Sequence, residues 1–412
     1  MEVRFLGGAG EIGRSAVLID GRLLLDYGMA TSTPPRYPVG DVDPEAVVVS
    51  HGHLDHAGAV PALLAGDARP PVHWTPPTRD LAYTLAEDTL RLQGNTPQCP
   101  FTRTDLQRLT QVSEAQGYGE PFDAAGYEVT FYDAGHVPGS AHVLVSDGET
   151  RLLYTGDFHT VDQRLVAGTT ARPEADVVVT ESTYAEVSHT PRDRLEDEFV
   201  RLLRETVWGG GTAVVPAFAV GRTQEVLLVC DAHDVDCYVD GMGKGVTDML
   251  LDHPDFLRDA DALRGARSHA RYVDGTRGQR ERIAEENTVI VTTAGMLSGG
   301  PAMTYVPAVR DHPGNAVALT GYQVEGTPGR ELLETGSADF DGRRLPVSAR
   351  VEQFDFSAHA DREGLRSFLG AYEGSEVLVV HGDDCGGFAQ TLRGDGFDAR
   401  APAIGDHVTV GG

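Results

Sequence analysis

The chain has 412 residues and 41% hydrophobic content, enough to bury one large core or two ordinary ones. It contains no run of about 18 apolar residues, which excludes a spanning helix. It opens directly into Val3-Arg4-Phe5-Leu6 with no basic stretch ahead, so no secretory leader and a cytoplasmic setting are expected.

The formal net charge is −28, and Lys244 is the only lysine. Two readings compete: the substrate is not a polyanion, or acidic residues solvate the surface in a very salty cytoplasm. The carboxylates are dispersed rather than gathered in a tail, which favours the second. At about 1 M salt the Debye length is roughly 3 Å, so distant like charges scarcely repel. The surface reads as that of a halophilic archaeal protein. The four cysteines (Cys99, Cys230, Cys237, Cys385) form no C-x-x-C pair and read as reduced thiols, with Cys230 a small apolar residue on a helix face.

In chain order, the first signal is Gly8-Ala9-Gly10-Glu11-Ile12-Gly13, a G-x-G-x-x-G after a strand. A dinucleotide site would need a helix next. Instead Ser15–Asp20 and Arg22–Asp26 read as a hairpin around Gly21, so the glycines are expected to form a tight turn.

The apolar run Ala46-Val47-Val48-Val49 then leads into Ser50-His51-Gly52-His53-Leu54-Asp55-His56-Ala57. Three imidazoles and a carboxylate in one turn are metal ligands with room for more than one ion. His51 and His53 can lean toward one ion, and Asp55 and His56 toward a neighbour. Complementary ligands follow. His136 lies in Asp133-Ala134-Gly135-His136, Asp157 in Tyr154-Thr155-Gly156-Asp157, and His381 in Val379-Val380-His381-Gly382. Each sits where a strand gives way to a Gly-containing turn, on loops of a rigid scaffold. Seven ligands suffice for two ions with an open face, a pair able to clamp both oxygens of a phosphoryl displacement.

Val143–Ser146 and Arg151–Tyr154 read as a hairpin through Asp147-Gly148. From about Glu186 the texture changes. Arg192–Thr206 is predicted as an amphipathic helix with Leu195, Phe199, Leu202 and Leu203 on one face. Three units of apolar strand, Gly-rich loop and helix follow. Ala213–Val215 leads to Gly221-Arg222. Val289–Val291 leads to Gly295 and Ser298-Gly299-Gly300. Ala316–Leu319 leads to Gly321 and Gly326–Arg330. This is the rhythm of a parallel α/β sheet with ligand loops at the strand carboxyl ends. Near Arg350 the chain is expected to return to the first domain. His142 reads as structural. His73, His159, His189, His233, His253, His269, His312 and His407 show no partner pattern and read as surface or loop residues.

Taken together, Gly10-Glu11-Ile12-Gly13-Arg14-Ser15, the His51–His56 motif, Gly135-His136, Gly156-Asp157, Glu181-Ser182-Thr183-Tyr184, Pro216–Arg222, Gly321-Tyr322-Gln323, Phe356-Ser357-Ala358-His359 and Val380-His381-Gly382 span nearly the whole chain. They resemble the β-CASP nucleases of the metallo-β-lactamase superfamily. The pattern is most similar to the endonuclease subunit of the eukaryotic pre-mRNA cleavage and polyadenylation machinery and its archaeal relatives.

The resemblance implies an α/β fold: a metallo-β-lactamase αββα sandwich (1–185 and 351–412) with an inserted β-CASP domain (186–350) built on a parallel sheet. The active site is expected in the cleft between them. It implies two zinc ions, the first held by His51, His53 and His136, the second by Asp55, His56 and His381, with Asp157 bridging. Manganese or iron could occupy the same ligands. A water between the ions is the implied nucleophile. His359 is the candidate general acid, oriented by Glu181, with Asp55 also at the reacting centre. Arg222, Arg330 and Ser298 are candidates for contact with RNA phosphates.

The implied activity is zinc-dependent hydrolysis of single-stranded RNA, endonucleolytic, leaving 5′-phosphate and 3′-hydroxyl ends in RNA 3′-end processing or decay. A 5′–3′ exoribonuclease of ribonuclease J type is the nearest alternative, and a non-catalytic RNA-binding subunit is one of another class. Longer archaeal relatives carry K-homology modules ahead of the first core strand, so RNA selection without them is expected here. No membrane partner is expected. The oligomeric state is open, with a homodimer among its options.

Overall fold

The computed structural model describes residues 1–32, 34–94, 96 and 98–411. The chain divides into two compact units: Met1–Asp162, Ala167–Ser188 and Ala358–Gly412 form the first, and Gln163–Val166 and His189–Ser357 the second.

The first unit contains two seven-stranded sheets. One runs in the order His407–Thr409, Glu2–Gly7, Ala16–Ile19, Leu23–Leu25, Ala46–Val48, Val72–Trp74, Ser113–Ala115. The other runs Asp398–Arg400, Glu376–Val379, Val177–Thr180, Arg151–Tyr154, Ala141–Ser146, Tyr127–Asp133, Pro121–Ala124.

Period-2 alternation decides what each strand buries. Val3, Phe5, Val17 and Ile19 face one way and share a core with Val129, Phe131, Val143 and Val179 of the other sheet. The alternate residues Leu6, Leu18, Leu24 and Val47 face outward, under Ala82, Ala86, Leu106 and Leu109 of the helices Pro76–Gln93 and Arg103–Val112. On the far side, Leu153, Val178 and Val377 pack with Leu365 and Phe368 of Arg362–Leu369 and Phe388 and Leu392 of Cys385–Gly394. Helix, sheet, sheet, helix is therefore the layer order. The Val143–Ser146 hairpin pairs Ser146 with Arg151, and Asp147 Oδ1 accepts from the Glu149 and Thr150 amides to close its loop.

The second unit holds a six-stranded sheet, ordered Arg271–Tyr272, Cys237–Asp240, Val289–Thr292, Ala213–Pro216, Ala316–Leu319, Arg350–Gln353, with every pair parallel. The predicted amphipathic helix runs Arg192–Trp208 and buries Leu195, Phe199, Leu202 and Leu203. Strands Val289–Thr292 and Ala316–Leu319 flank Ala213–Pro216, so the chain switches sides of the sheet there. Crevices at such switch points take ligands in α/β sheets.

Two expectations need correction. The chain does not leave this sheet near Arg350: Arg350–Gln353 is its edge strand, in register with Ala316–Leu319. Just before it stands a separate hairpin, Ser337–Phe340 with Arg343–Pro346. His73 is neither a surface nor a loop residue, being 2% exposed on a strand, while His159 lies in a loop as expected and is 7% exposed. His73 lies on an interior strand, stacked on Phe122 at 5.0 Å, where a single imidazole substitutes for an aromatic core residue. His159 is fixed by its backbone, which donates to Ala134 O and accepts from the Thr169 amide. No helix among the described residues is long and apolar enough to cross a membrane. All four cysteines are free, and Cys230 is buried on the helix Arg222–Ala232.

Candidate metal centre

Every predicted ligand lies in the first unit, at the ends of strands that the two sheets bring together. Ala46–Val48 delivers Ser50 and His51, and the turn beyond opens the short helix Leu54–Ala57 carrying Asp55 and His56. Gly156 has a φ of +53°, and a Cβ there would lie 2.8 Å from Ser50 Cβ. Only glycine lets the chain carry Asp157 this close to the histidine turn. Gly135 does the same for His136: its φ is +69°, and a Cβ would meet His159 O at 2.6 Å. His381 follows the strand Glu376–Val379, and its amide donates to Gly8 O at 2.6 Å. The Gly8–Gly13 turn thus lies beside the cluster, and the segment after it is a strand, as expected.

The ligand atoms form two overlapping groups, each within a 4.8 Å span. His51, His53, His136 and Asp157 make one; Asp55, His56, His381 and Asp157 make the other. Asp157 reaches both: its Oδ2 is 3.5 Å from His51 Nε2 and its Oδ1 is 3.3 Å from His56 Nε2. His53 Nδ1 and His136 Nε2 face each other at 3.1 Å, as do His56 Nε2 and His381 Nε2 at 3.3 Å.

Three of the rings are anchored on their far sides. His136 Nδ1 donates to Ala358 O at 2.7 Å, and His381 Nδ1 meets Thr183 Oγ1 at 3.1 Å. His56 Nδ1 donates to Asp26 Oδ2 at 2.7 Å. Such partners fix the tautomer and leave the other nitrogen's electron pair free.

The electrostatics of the first group agree with this. Burial, with neighbouring imidazoles, holds His51 and His136 well below the ordinary histidine value. Burial lowers His53 to about 4. Burial would also lower His56 and raise Asp157, but the Asp157 and Asp26 carboxylates raise His56, and His381 with His56 holds Asp157 below the carboxylate range. The neutral imidazoles of His51, His53 and His136 beside the ionised Asp157 are forms that bind a metal, whereas His56 and His381, both raised, would give up a proton to one. His51 Nε2 and Asp157 Oδ1 have no hydrogen-bond partner among the described residues. Leaving a buried polar atom unsatisfied costs about 1–3 kcal/mol, a cost that a coordinated cation would remove. The residues present therefore fit a metal.

At the edge of the cluster, His359 Nδ1 is 3.0 Å from Glu181 Oε2, and its ring centroid is 4.6 Å from that of His136. Glu181 is buried and also accepts from the Phe158 amide at 2.7 Å. Burial alone would depress His359, but the Glu181 charge and hydrogen bond raise it to about 9. The imidazole is charged at neutral pH and so carries a proton on each nitrogen.

Arg222, Ser298 and Arg330 belong to the second unit. Arg222 opens the helix Arg222–Ala232 and is half-buried. Ser298 is exposed on its glycine loop, and Arg330 Nε donates to Glu334 at 2.6 Å. His142 is buried and donates from Nδ1 to Thr155 O at 2.8 Å, a structural role.

The sequence reading missed Asp26. It is fully buried and accepts from the Ser50 amide, Ser50 Oγ, His56 Nδ1 and Tyr154 OH, at 2.7 to 2.8 Å. The available signal was a lone carboxylate ending the apolar run Leu23-Leu24-Leu25. Thr183 was quoted only within a motif, and no role was read from it.

An αββα sandwich with a histidine–aspartate centre at its strand ends defines a metallo-hydrolase. Family profiles match in three segments: the metallo-beta-lactamase superfamily over residues 9–204, the Beta-Casp domain over 223–332, and the Zn-dependent metallo-hydrolase RNA specificity domain over 344–402. The chain belongs to the β-CASP family of metallo-β-lactamase-fold, metal-dependent hydrolases. It is 35% identical to the protein named RNase aCSPSF2 of Saccharolobus solfataricus, over 99% of this chain and 85% of that one. It is 31% identical to the probable RNase MJ4 of Methanocaldococcus jannaschii over 100% of both. A crystal structure of a protein of unknown function from Enterococcus faecalis shares the fold, with a TM-score of 0.62 at 12% identity over 99% of each chain.

Proposed function

We propose that this protein is a zinc-dependent ribonuclease that cleaves phosphodiester bonds within single-stranded RNA. The observation that carries the reading is the convergence of His51, His53, Asp55, His56, His136, Asp157 and His381, with the His359–Glu181 pair at the edge. The names of its relatives and the RNA specificity profile supply the substrate class. In this reading His51, His53 and His136 hold one ion, Asp55, His56 and His381 the other, and Asp157 both. Bound there, two zinc ions supply Lewis-acid activation of water and of the phosphoryl group.

The chain's own residues do the rest. Burial of the cluster excludes bulk water. Asp26, Thr183 and the Ala358 carbonyl hold the rings in orientation. His359, charged through Glu181, gives a proton to the departing 3′-oxygen, leaving 5′-phosphate and 3′-hydroxyl ends. Arg222, Arg330 and Ser298 contact RNA phosphates. Dispersed acidic residues suit work in a salty cytoplasm, where phosphate contacts by surface cations weaken.

The test uses protein kept in high salt and a 5′-labelled single-stranded RNA beside DNA of the same sequence. Internal RNA fragments with little DNA cleavage support the reading. Mononucleotides released from the 5′ end replace it with exonuclease action. Equal or preferred DNA cleavage removes RNA as the substrate.

A further inference from the structure

Three loops leave the carboxyl ends of the strands around the switch point of the second unit. They follow Ala213–Pro216, Val289–Thr292 and Ala316–Leu319. They are locked to one another. Gln323 is buried, and its Nε2 donates to Gly295 O at 3.2 Å and Gly321 O at 3.1 Å. Gln353 Nε2 also donates to Gly321 O, at 3.0 Å. The Gly329 amide donates to Met296 O at 3.0 Å. Phe218, on the first loop, lies against the other two: a Cβ on Gly295 would approach Phe218 N to 2.9 Å, and one on Gly321 would approach its ring to 3.3 Å.

On this fixed frame stands Tyr322, 44% exposed, between two anchored residues. Val324, two residues on, is 43% exposed. Arg330 follows in the first turn of a helix whose start is capped by Thr327 Oγ1. Arg330 Nε donates to Glu334 at 2.6 Å, and the Tyr322 side chain lies within electrostatic range of the guanidinium. Tyr322 therefore offers almost half of its surface to solvent from a loop whose backbone is held on both sides. A rigid aromatic beside a guanidinium is what a single-stranded nucleic acid uses: the ring takes a base face and the cation its phosphate.

Charge strengthens the argument. With a net charge of −28 the chain offers little general attraction to RNA, and salt weakens each phosphate contact. Stacking involves no counterion, so it persists in salt.

We propose that Tyr322 is a stacking platform for one nucleobase of the single-stranded substrate, with Arg330 on the adjoining phosphate. The proposal rests on the ribonuclease reading and adds a base-binding subsite to it.

The experiment measures KM for RNA cleavage by the metal-loaded full chain at several salt concentrations. It compares wild type, Tyr322→Phe, Tyr322→Ala and Arg330→Gln on an intact RNA and on RNAs carrying one abasic nucleotide at successive positions. Tyr322→Ala raises KM roughly tenfold, the effect of losing one stacked base, and Tyr322→Phe keeps the wild-type value. At one position the abasic RNA costs wild type the same factor and costs Tyr322→Ala nothing further, the non-additivity of two groups that touch. The salt slope is unchanged in Tyr322→Ala and falls by about 0.7 in Arg330→Gln. An unaltered KM in Tyr322→Ala, or abasic and alanine effects that simply add, overturns the platform while leaving the ribonuclease reading in place. Wild-type protein that cleaves no RNA overturns both.

Discussion

Replacing Asp26 by asparagine tests how the centre is held. The carboxylate Oδ1 accepts from the Ser50 amide, and Oδ2 accepts from His56 Nδ1, Ser50 Oγ and Tyr154 OH. Asparagine keeps the shape and the Ser50 amide bond but puts an NH2 where Oδ2 was. The hydroxyls of Ser50 and Tyr154 can turn and accept from it. His56 has a different remedy: it takes the tautomer with a bare Nδ1 and carries its proton on Nε2. That nitrogen faces Asp157 Oδ1 and His381 Nε2, each at 3.3 Å. The electron pair needed by the second ion is then covered by a proton. Loss of a partner behind a ligating histidine costs about 10–100-fold in metal affinity, or roughly 1.4–2.7 kcal/mol. Stability of the metal-free protein should fall by about 1–3 kcal/mol, because the buried Tyr154 O–H loses its acceptor. Titration of metal-free Asp26→Asn with zinc against a chromophoric chelator should show one site near wild-type affinity and one weakened by that factor. Two sites of wild-type affinity would refute the tautomer argument. Loss of both together with unfolding would show that Asp26 acts on the fold instead.

The remaining predictions concern the proton donor and the shared ligand. His359 is raised to about 9, so its charged form persists through neutral pH and activity should decline as pH rises through about 9. In Glu181→Gln burial is opposed only by the smaller effects of Asp157 and Asp55, and the alkaline limb of kcat should move toward acid; a limb that stays put would separate Glu181 from the proton transfer. The raised value also favours the folded state, fully below the ordinary histidine value near 6.5 and no longer once pH passes about 9. Asp157→Ala removes a carboxylate that both ligand groups share, so it should lose metal content and rate together, measured on the same preparation. An Asp157→Ala protein that is fully loaded and active would contradict the bridging role.

Much of this was readable because the relevant signals are local. His51, His53, Asp55 and His56 fall within one turn, and each later ligand ends an apolar strand at a glycine. The face of Arg192–Trp208 follows from its 3.6 period. What escaped depends on partners distant in the chain. Asp26 looks like any strand-ending carboxylate until Tyr154, 128 residues away, lies against it. His73 and His159 each lack a sequence neighbour that would announce burial. The edge strand Arg350–Gln353 carries Arg350, Glu352 and Gln353, because an edge exposes one side to water, so its composition resembles a loop.

The most direct test of the central claim is zinc content and RNA cleavage measured on one preparation each of wild type and His359→Ala. Two zinc ions bound in both, with turnover lost by about 10²–10⁴-fold in the variant, is the predicted result. Metal lost along with activity, or cleavage retained without His359, would contradict the division between metal ligands and proton donor.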